Sequence, residues 1–362
     1  MKERKTLLYL VILSMFFLSM LTLLASAKTS EIKAKSSAVY SPDIRSFLYQ
    51  SNMNVKLPMA STTKIVTALV ALETIDPNKV ITISKDSVGI EGSSLYLEEG
   101  DKIAALDLVY AVLLQSANDA AVALAIEISG SIDEFAIQMN ERIREIGVEN
   151  TNFTNPHGLD NENHYTTAHD LALIAAEALK NETFKKIVST YKYSFNIGDK
   201  TRTVVNHNKL LKMYDECIGV KTGFTRKSGR CLVSAAERDG ITLIAVTLDD
   251  PNDWNDHTSL LNDGFDSLEF LDIRDVVAIP ERIPTISTDG KSVELTLNRD
   301  TVIRRIDEKY KVFLDLPPYI TRDVSKGEKI GTVKILFEDR EENIGILAKS
   351  DIKIKTTTKR FI

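Results

Sequence analysis

From Asp107 to Ile128 the chain is apolar on nearly every helical face. A helix of that kind is stable in water only when protein surrounds it. The segment is broken once, at Gln115-Ser116-Ala117-Asn118. A hydroxyl and an amide are costly to bury unless paired. Two readings stay open: a patch turned towards a cleft, or a helix-to-helix turn capped by serine or asparagine. With 362 residues there is chain enough to bury a large core, in about two domains. The net charge of −6 argues against bulk binding to nucleic acid, which needs a cationic surface.

The first 27 residues read as a segment apart. Lys2, Arg4 and Lys5 precede an apolar run from Leu7 to Leu24, and Ala25-Ser26-Ala27 follows. A basic start, an apolar middle and a small-x-small site are the layout of a secretory signal peptide. If uncleaved, the run nearly spans a bilayer and is the one expected membrane contact. Either way the remainder is expected to work outside the cytoplasm.

Residues 28–277 mix helical and strand patterns. Helices are expected at Ser61–Ile75, Ser131–Ile146 and Thr167–Leu179, with a closing helix at Leu260–Leu271. Strands are expected at Cys217–Thr222, Cys231–Ala235 and Ile241–Leu248. Residues 278–362 carry Pro280, Pro284, Pro317 and Pro318 and lose helical periodicity. Val293–Leu297, Lys326–Leu336 and Ile352–Lys355 read as strands or a turn entering a strand, giving a small all-β domain. Glu338–Glu342 reads as a solvated hairpin turn.

Three short motifs carry chemistry. Ser61-Thr-Thr-Lys64 opens a predicted helix, and its i, i+3 spacing puts serine and lysine on one face. A serine hydroxyl needs a base. A lysine with a lowered pKa is one, and a helix start offers N–H groups to an oxyanion. Ser116-Ala-Asn118 is the polar break described above. Lys221-Thr-Gly223 ends a predicted strand, where glycine admits a substrate backbone and lysine with threonine suits a carboxylate. Each motif alone is weak. In this order they match the signature of penicillin-binding proteins and class A β-lactamases.

On these residues the chain resembles the D-alanyl-D-alanine carboxypeptidases, low-molecular-weight penicillin-binding proteins of the S11 peptidase family. The likeness extends through Leu57–Lys64, Glu91–Leu97, Ser116–Ala121, Asn155–Leu159, Tyr165–Asp170, Asn206–Leu211 and Gly219–Thr225. It implies an α+β fold. The catalytic domain would be β-lactamase/transpeptidase-like, an antiparallel sheet with helices, followed by the small all-β C-terminal domain. It implies Ser61 as nucleophile, Lys64 as general base and Ser116 as proton relay to the leaving D-alanine. Asn118 would hold the substrate amide and place Lys64. Lys221, Thr222 and Gly223 would bind substrate, with Thr222 on its carboxylate. The backbone N–H groups of Ser61 and Phe224 would form the oxyanion hole. The expected partners are peptidoglycan stem peptides ending in D-Ala-D-Ala, and β-lactams. No metal or organic cofactor is implied.

The resemblance has departures. Ala117 stands where glycine is common, and His207 where many members have a basic residue. Asp253-Trp254-Asn-Asp-His257 replaces a stretch that often carries arginine. The end, Thr356–Ile362, lacks the amphipathic helix of anchored relatives. The five histidines lack zinc-peptidase spacing, and His157 and His169 read as structural hydrogen-bonders. Glu177-Ala-Leu-Lys-Asn181 formally matches the E-x-x-x-N of a β-lactamase, but it ends an amphipathic helix and reads as coincidence. Cys217 and Cys231 flank a predicted hairpin, as a disulfide or as two buried thiols.

Overall fold

The computed structural model describes residues 32–355. Residues 1–27, read above as a signal peptide, and Thr356–Ile362 lie outside the described residues. No described helix is long and apolar enough to cross a membrane.

The chain divides into two compact units. The first holds Tyr49–Glu237 and Ile244–Asn262 with residues 32–39. Its central helices are those the apolar runs demand. Helix α1 (Lys64–Thr74) follows a 3-10 turn at Ala60–Thr63. Ile65, Val66, Leu69 and Val70 on α1 are all buried. The long apolar stretch forms two helices, α2 (Ala105–Tyr110) and α3 (Asn118–Ser129), joined by a π-helical turn at Ala111–Gln115. The polar break seen in the sequence is the point where one helix stops and the next starts. Helix α4 (Ile132–Ile146) is capped by Ser131, whose side chain accepts from the Glu134 N–H. Helix α5 (Ala168–Leu179) is capped likewise by Thr167, accepting from Asp170. These caps satisfy N–H groups that a helix start leaves free.

Strands β1 (Ser36–Ser41), β2 (Ser46–Ser51), β3 (Cys217–Thr225), β4 (Gly229–Arg238) and β5 (Ile241–Leu248) form a sheet in the order β2-β1-β5-β4-β3. Strand β3 is therefore an edge. It pairs antiparallel with β4, with Phe224 opposite Arg230 and Thr222 opposite Leu232.

The same register removes the disulfide. Cys231 lies opposite Gly223, whereas Cys217 lies opposite Ala236. The two are therefore about 20 Å apart along the hairpin at ~3.3 Å per residue, far beyond disulfide reach. Both are free thiols, and burial raises the pKa of each, to about 11 for Cys217 and about 12 for Cys231.

The closing helix also differs from expectation. Helix α6 spans Asp253–Asp266, earlier than the Leu260–Leu271 periodicity indicated. Its first turn is polar and carries Asp253 and Asp256, carboxylates favoured at a helix N-terminus. After Asp266 the chain turns into a strand, β6 (Leu268–Asp272), paired with β8 (Thr301–Arg305).

The second unit holds residues 263–355 with the short segments Tyr40–Leu48 and Arg238–Leu243. Five strands, β7 (Ser292–Leu297), β9 (Lys311–Asp315), β10 (Lys329–Leu336), β11 (Glu341–Ala348) and a short Arg282–Pro284 strand, form an antiparallel sheet. Period-two alternation buries Val293, Val333, Ile335, Ile344 and Ile346 in one core. Ile352–Lys355 is not a strand; Ile352 makes one isolated bridge to Val324. The turn before β11 is not wholly solvated either. Arg340 folds inward onto the buried Glu308 carboxylate at 2.9 Å and over the Phe337 ring, because only a paired charge is tolerated there.

Candidate active site

Ser61 sits in the 3-10 turn that feeds α1, and Lys64 is the first residue of that helix. The geometry is built by close approach. Ala60 has φ +48°, and Gly158 of the Asn155–Leu159 loop rests on its carbonyl. His164 clamps Thr63 in the same turn. Its Nδ1 accepts from the Thr154 N–H, so Nε2 donates to Thr63 Oγ1 at 2.7 Å, and that hydroxyl donates to Ala60 O. Burial holds His164 down to about 4 and His157 to about 3, so both rings are neutral.

Lys64 is fully buried. Its Nζ lies 2.9 Å from Ser61 Oγ, 2.7 Å from Asn118 Oδ1 and 2.5 Å from His157 O. Burial, and second the Lys221 ammonium, hold its amine well below the usual lysine range. Two of its neighbours are carbonyl oxygens, which only accept. In the neutral amine two hydrogens satisfy them and the lone pair is left towards Ser61 Oγ.

Asn118 begins α3 and is fixed on both sides. Its N–H donates to Ser93 O at 2.7 Å, and Nδ2 donates to Glu91 O. Gly92, at φ +93°, makes room for this: a Cβ there would stand 2.8 Å from Asn118 Nδ2. Asp119 holds the same loop by accepting from the Ser94 hydroxyl and from the Leu95 and Leu97 N–H groups. Ser116 ends the π-helical turn in left-handed backbone, φ +63°, a strained state for a non-glycine residue of the kind found at functional sites. It places Ser116 on the wall of the cavity that Ser61 also lines.

That cavity measures about 410 Å³. On one side it is walled by Thr222, Gly223 and Phe224 of edge strand β3. Gly223 closes on the serine turn; a Cβ there would lie 3.1 Å from Ser61 N and 3.0 Å from Met59 O. Lys221 is buried behind the strand, its Nζ donating to Thr222 O at 2.8 Å. Burial pushes its pKa down to about 7. The far wall is His207, Arg230, Asp253 and Trp254. The loop carrying His207 is braced by Asn206 and Asn208, whose amide oxygens accept backbone N–H groups within it. Burial, and second Lys221, lower the His207 pKa.

Most of the predicted set lies together, while Lys221 is buried and does not line the cavity. Ser61, Lys64 and Asn118 are joined by direct hydrogen bonds, and Ser116, Thr222, Gly223 and Phe224 share one cavity. Sequence reasoning gave no role to the carbonyls of His157 and Glu91, to Asp119, or to Arg230. Backbone acceptors leave no residue-type signal. Glu177 is elsewhere, paired with Arg142 and Lys180. Among the described residues no cluster of His, Cys, Asp or Glu could hold a metal ion.

A half-buried serine hydrogen-bonded to a buried lysine at a helix start, beside the edge strand of an antiparallel sheet, is the arrangement of a serine hydrolase of the penicillin-binding class. The fold agrees. The structure of penicillin-binding protein 5 from Haemophilus influenzae aligns with a TM-score of 0.67 and 27% identity, over 91% of this chain and 100% of that one. The Streptomyces K15 DD-transpeptidase aligns with a TM-score of 0.62 and 33% identity, over 65% and 98%. In sequence, the D-alanyl-D-alanine carboxypeptidase DacF of Bacillus subtilis is 32% identical over 348 residues, 92% of this chain and 88% of that protein. DacC of Escherichia coli is 30% identical over 310 residues, 79% and 76%. The D-alanyl-D-alanine carboxypeptidase family profile matches residues 24–252. The chain belongs to that family, the S11 peptidases, and is a serine-type D-Ala-D-Ala carboxypeptidase.

Proposed function

We propose that this enzyme removes the terminal D-alanine from peptidoglycan stem pentapeptides through an acyl-serine on Ser61, and that β-lactams acylate the same oxygen. The observation that carries this reading is the Lys64 amine, 2.9 Å from Ser61 Oγ with its other two directions committed to carbonyl oxygens. Lys64 takes the Ser61 proton as Oγ attacks the carbonyl between the two D-alanines. The N–H groups of Ser61 and Phe224 receive the oxyanion, since the glycine between strand and turn lets both approach one point. Ser116 passes the proton to the departing D-alanine amine, and water then hydrolyses the ester. Asn118 acts by holding Lys64, with one Nδ2 hydrogen left for the substrate. Thr222 binds the terminal carboxylate, and Lys221 adds positive charge from behind the strand.

The substrate class places the work outside the cytoplasm, consistent with the export signal read at residues 1–27. Residues 28–277 would carry the chemistry and 278–362 a separate β domain. A β-lactamase reading would need an additional glutamate for deacylation, and the formal match, Glu177, is tied into ion pairs at the end of α5. Mass spectrometry of muropeptides incubated with the enzyme tests the proposal. Loss of one terminal alanine from pentapeptides supports it, and unchanged pentapeptides refute it.

A further inference from the structure

We infer that Arg230, held in place by Asp253, is the group that recognises the free C-terminal carboxylate of the substrate and so makes the enzyme an exopeptidase by preference. The inference rests on the carboxypeptidase reading above and sharpens it.

Three observations carry it. The first is where positive charge sits. A lysine in the Lys221-Thr222-Gly223 motif suits a carboxylate on sequence grounds, yet Lys221 is 1% exposed and its ammonium is spent on Thr222 O. It does not reach the cavity surface. His207 does, but burial and Lys221 disfavour its charged form. Among the described residues lining the cavity, Arg230 is the one permanent cation, because a guanidinium does not lose its proton in a protein.

The second is register. Arg230 is opposite Phe224 on the antiparallel partner strand, so its side chain leaves the same sheet face as those of Phe224 and Thr222. Thr222 is its diagonal neighbour, ~7–8 Å away between Cα atoms, a span a long side chain closes. A carboxylate accepting from the Thr222 hydroxyl is thus within reach of the Arg230 fork.

The third is orientation. Arg230 Nε and Nη2 donate to the two Asp253 oxygens at 3.0 and 2.8 Å, and the guanidinium stands 5.5 Å from the Trp254 ring centre. That bidentate pairing uses two of five N–H donors. Three remain for a second carboxylate, while the side chain is already ordered, which lowers the entropy lost on binding. Asp253 is a positioning residue here. It occupies the stretch where the resemblance leads one to look for arginine, and this chain supplies the cation from the adjoining strand instead.

The test compares hydrolysis of Nα,Nε-diacetyl-L-lysyl-D-alanyl-D-alanine with that of its C-terminal amide. Wild-type enzyme is expected to prefer the acid by about 100-fold in kcat/KM, the scale on which a lost charge partner is felt. In R230Q the two substrates converge to within about threefold, chiefly through a higher KM for the acid. R230K, which keeps the charge without the fork, recovers part of the preference. An unchanged acid-to-amide ratio in R230Q overturns the inference, even if both rates fall together, since a merely structural arginine would lower both alike. Should wild type release neither D-alanine from the acid nor D-alaninamide from the amide, the carboxypeptidase reading fails and this inference with it.

Discussion

Gly158 stands against Ala60 so closely that a Cβ on it would lie 2.0 Å from the Ala60 carbonyl oxygen and 2.9 Å from Thr63 Oγ1. The contact fixes the turn that presents Ser61 and the loop that presents the His157 carbonyl to Lys64. Gly158 also has φ +89°, a region that residues with a side chain rarely adopt. Gly158→Ala should therefore destabilise the protein by about 3 kcal/mol or more, as strain and backbone overlap combine. It should also slow acylation, because serine and lysine both move. Thermal melting with penicillin-labelling kinetics checks this; unchanged melting and labelling would show that the contact positions nothing.

Lys64→Ala removes the proton acceptor and leaves the carboxylate end of the cavity untouched. Acylation should fall by at least about 1000-fold, while KM changes by only a few-fold, the pattern of a group acting in the transition state. In wild type the acylation rate should rise with pH as Lys64 loses its proton, at a pH well below the ordinary lysine value of 10.5. Stopped-flow acylation across pH checks both statements.

Lys221 gives a prediction with opposite signs for stability and activity. Its pKa is about 7 in the folded protein against 10.5 ordinarily. Between those values the unfolded chain binds more protons than the folded one, so this residue's contribution to stability rises with pH. Below about pH 7 its full destabilising effect is present. Lys221→Met fills similar volume without a buried charge and should raise the melting temperature at pH 7 by about 3 °C or more, while lowering activity. The charge that depresses Lys64 is then gone, so the pH at which residual acylation sets in should move upwards. A fall in melting temperature, or an unmoved pH profile, would contradict the electrostatic account.

Much of this site is legible in the sequence because its chemistry demands side chains of fixed type. A serine and a lysine at i, i+3, and a polar break inside an apolar helix, are visible as patterns. The break at Ser116 also marked a real helix boundary, since polar groups cannot remain mid-helix in a dry core. What escaped is of three kinds. The carbonyls of His157 and Glu91 are backbone atoms, carried by any residue type. Arg230 sits in a strand and looks like surface; only the register with Phe224 shows its face. The closing helix begins at Asp253, seven residues before the expected start at Leu260, because its first turn is polar and carries carboxylates. The two cysteines stayed undecided for a related reason: flanking a hairpin is not facing across it, and only the register shows them as free thiols.

The central claim is that one oxygen, Ser61 Oγ, takes the acyl group from peptide and β-lactam alike. The direct test is the intact mass of wild type and Ser61→Ala after exposure to benzylpenicillin, with D-alanine release from a D-Ala-D-Ala peptide followed in parallel. The account predicts a single penicilloyl adduct and D-alanine release for wild type, and neither for Ser61→Ala. D-alanine released by Ser61→Ala at the wild-type rate, or an adduct retained on it, would contradict the account.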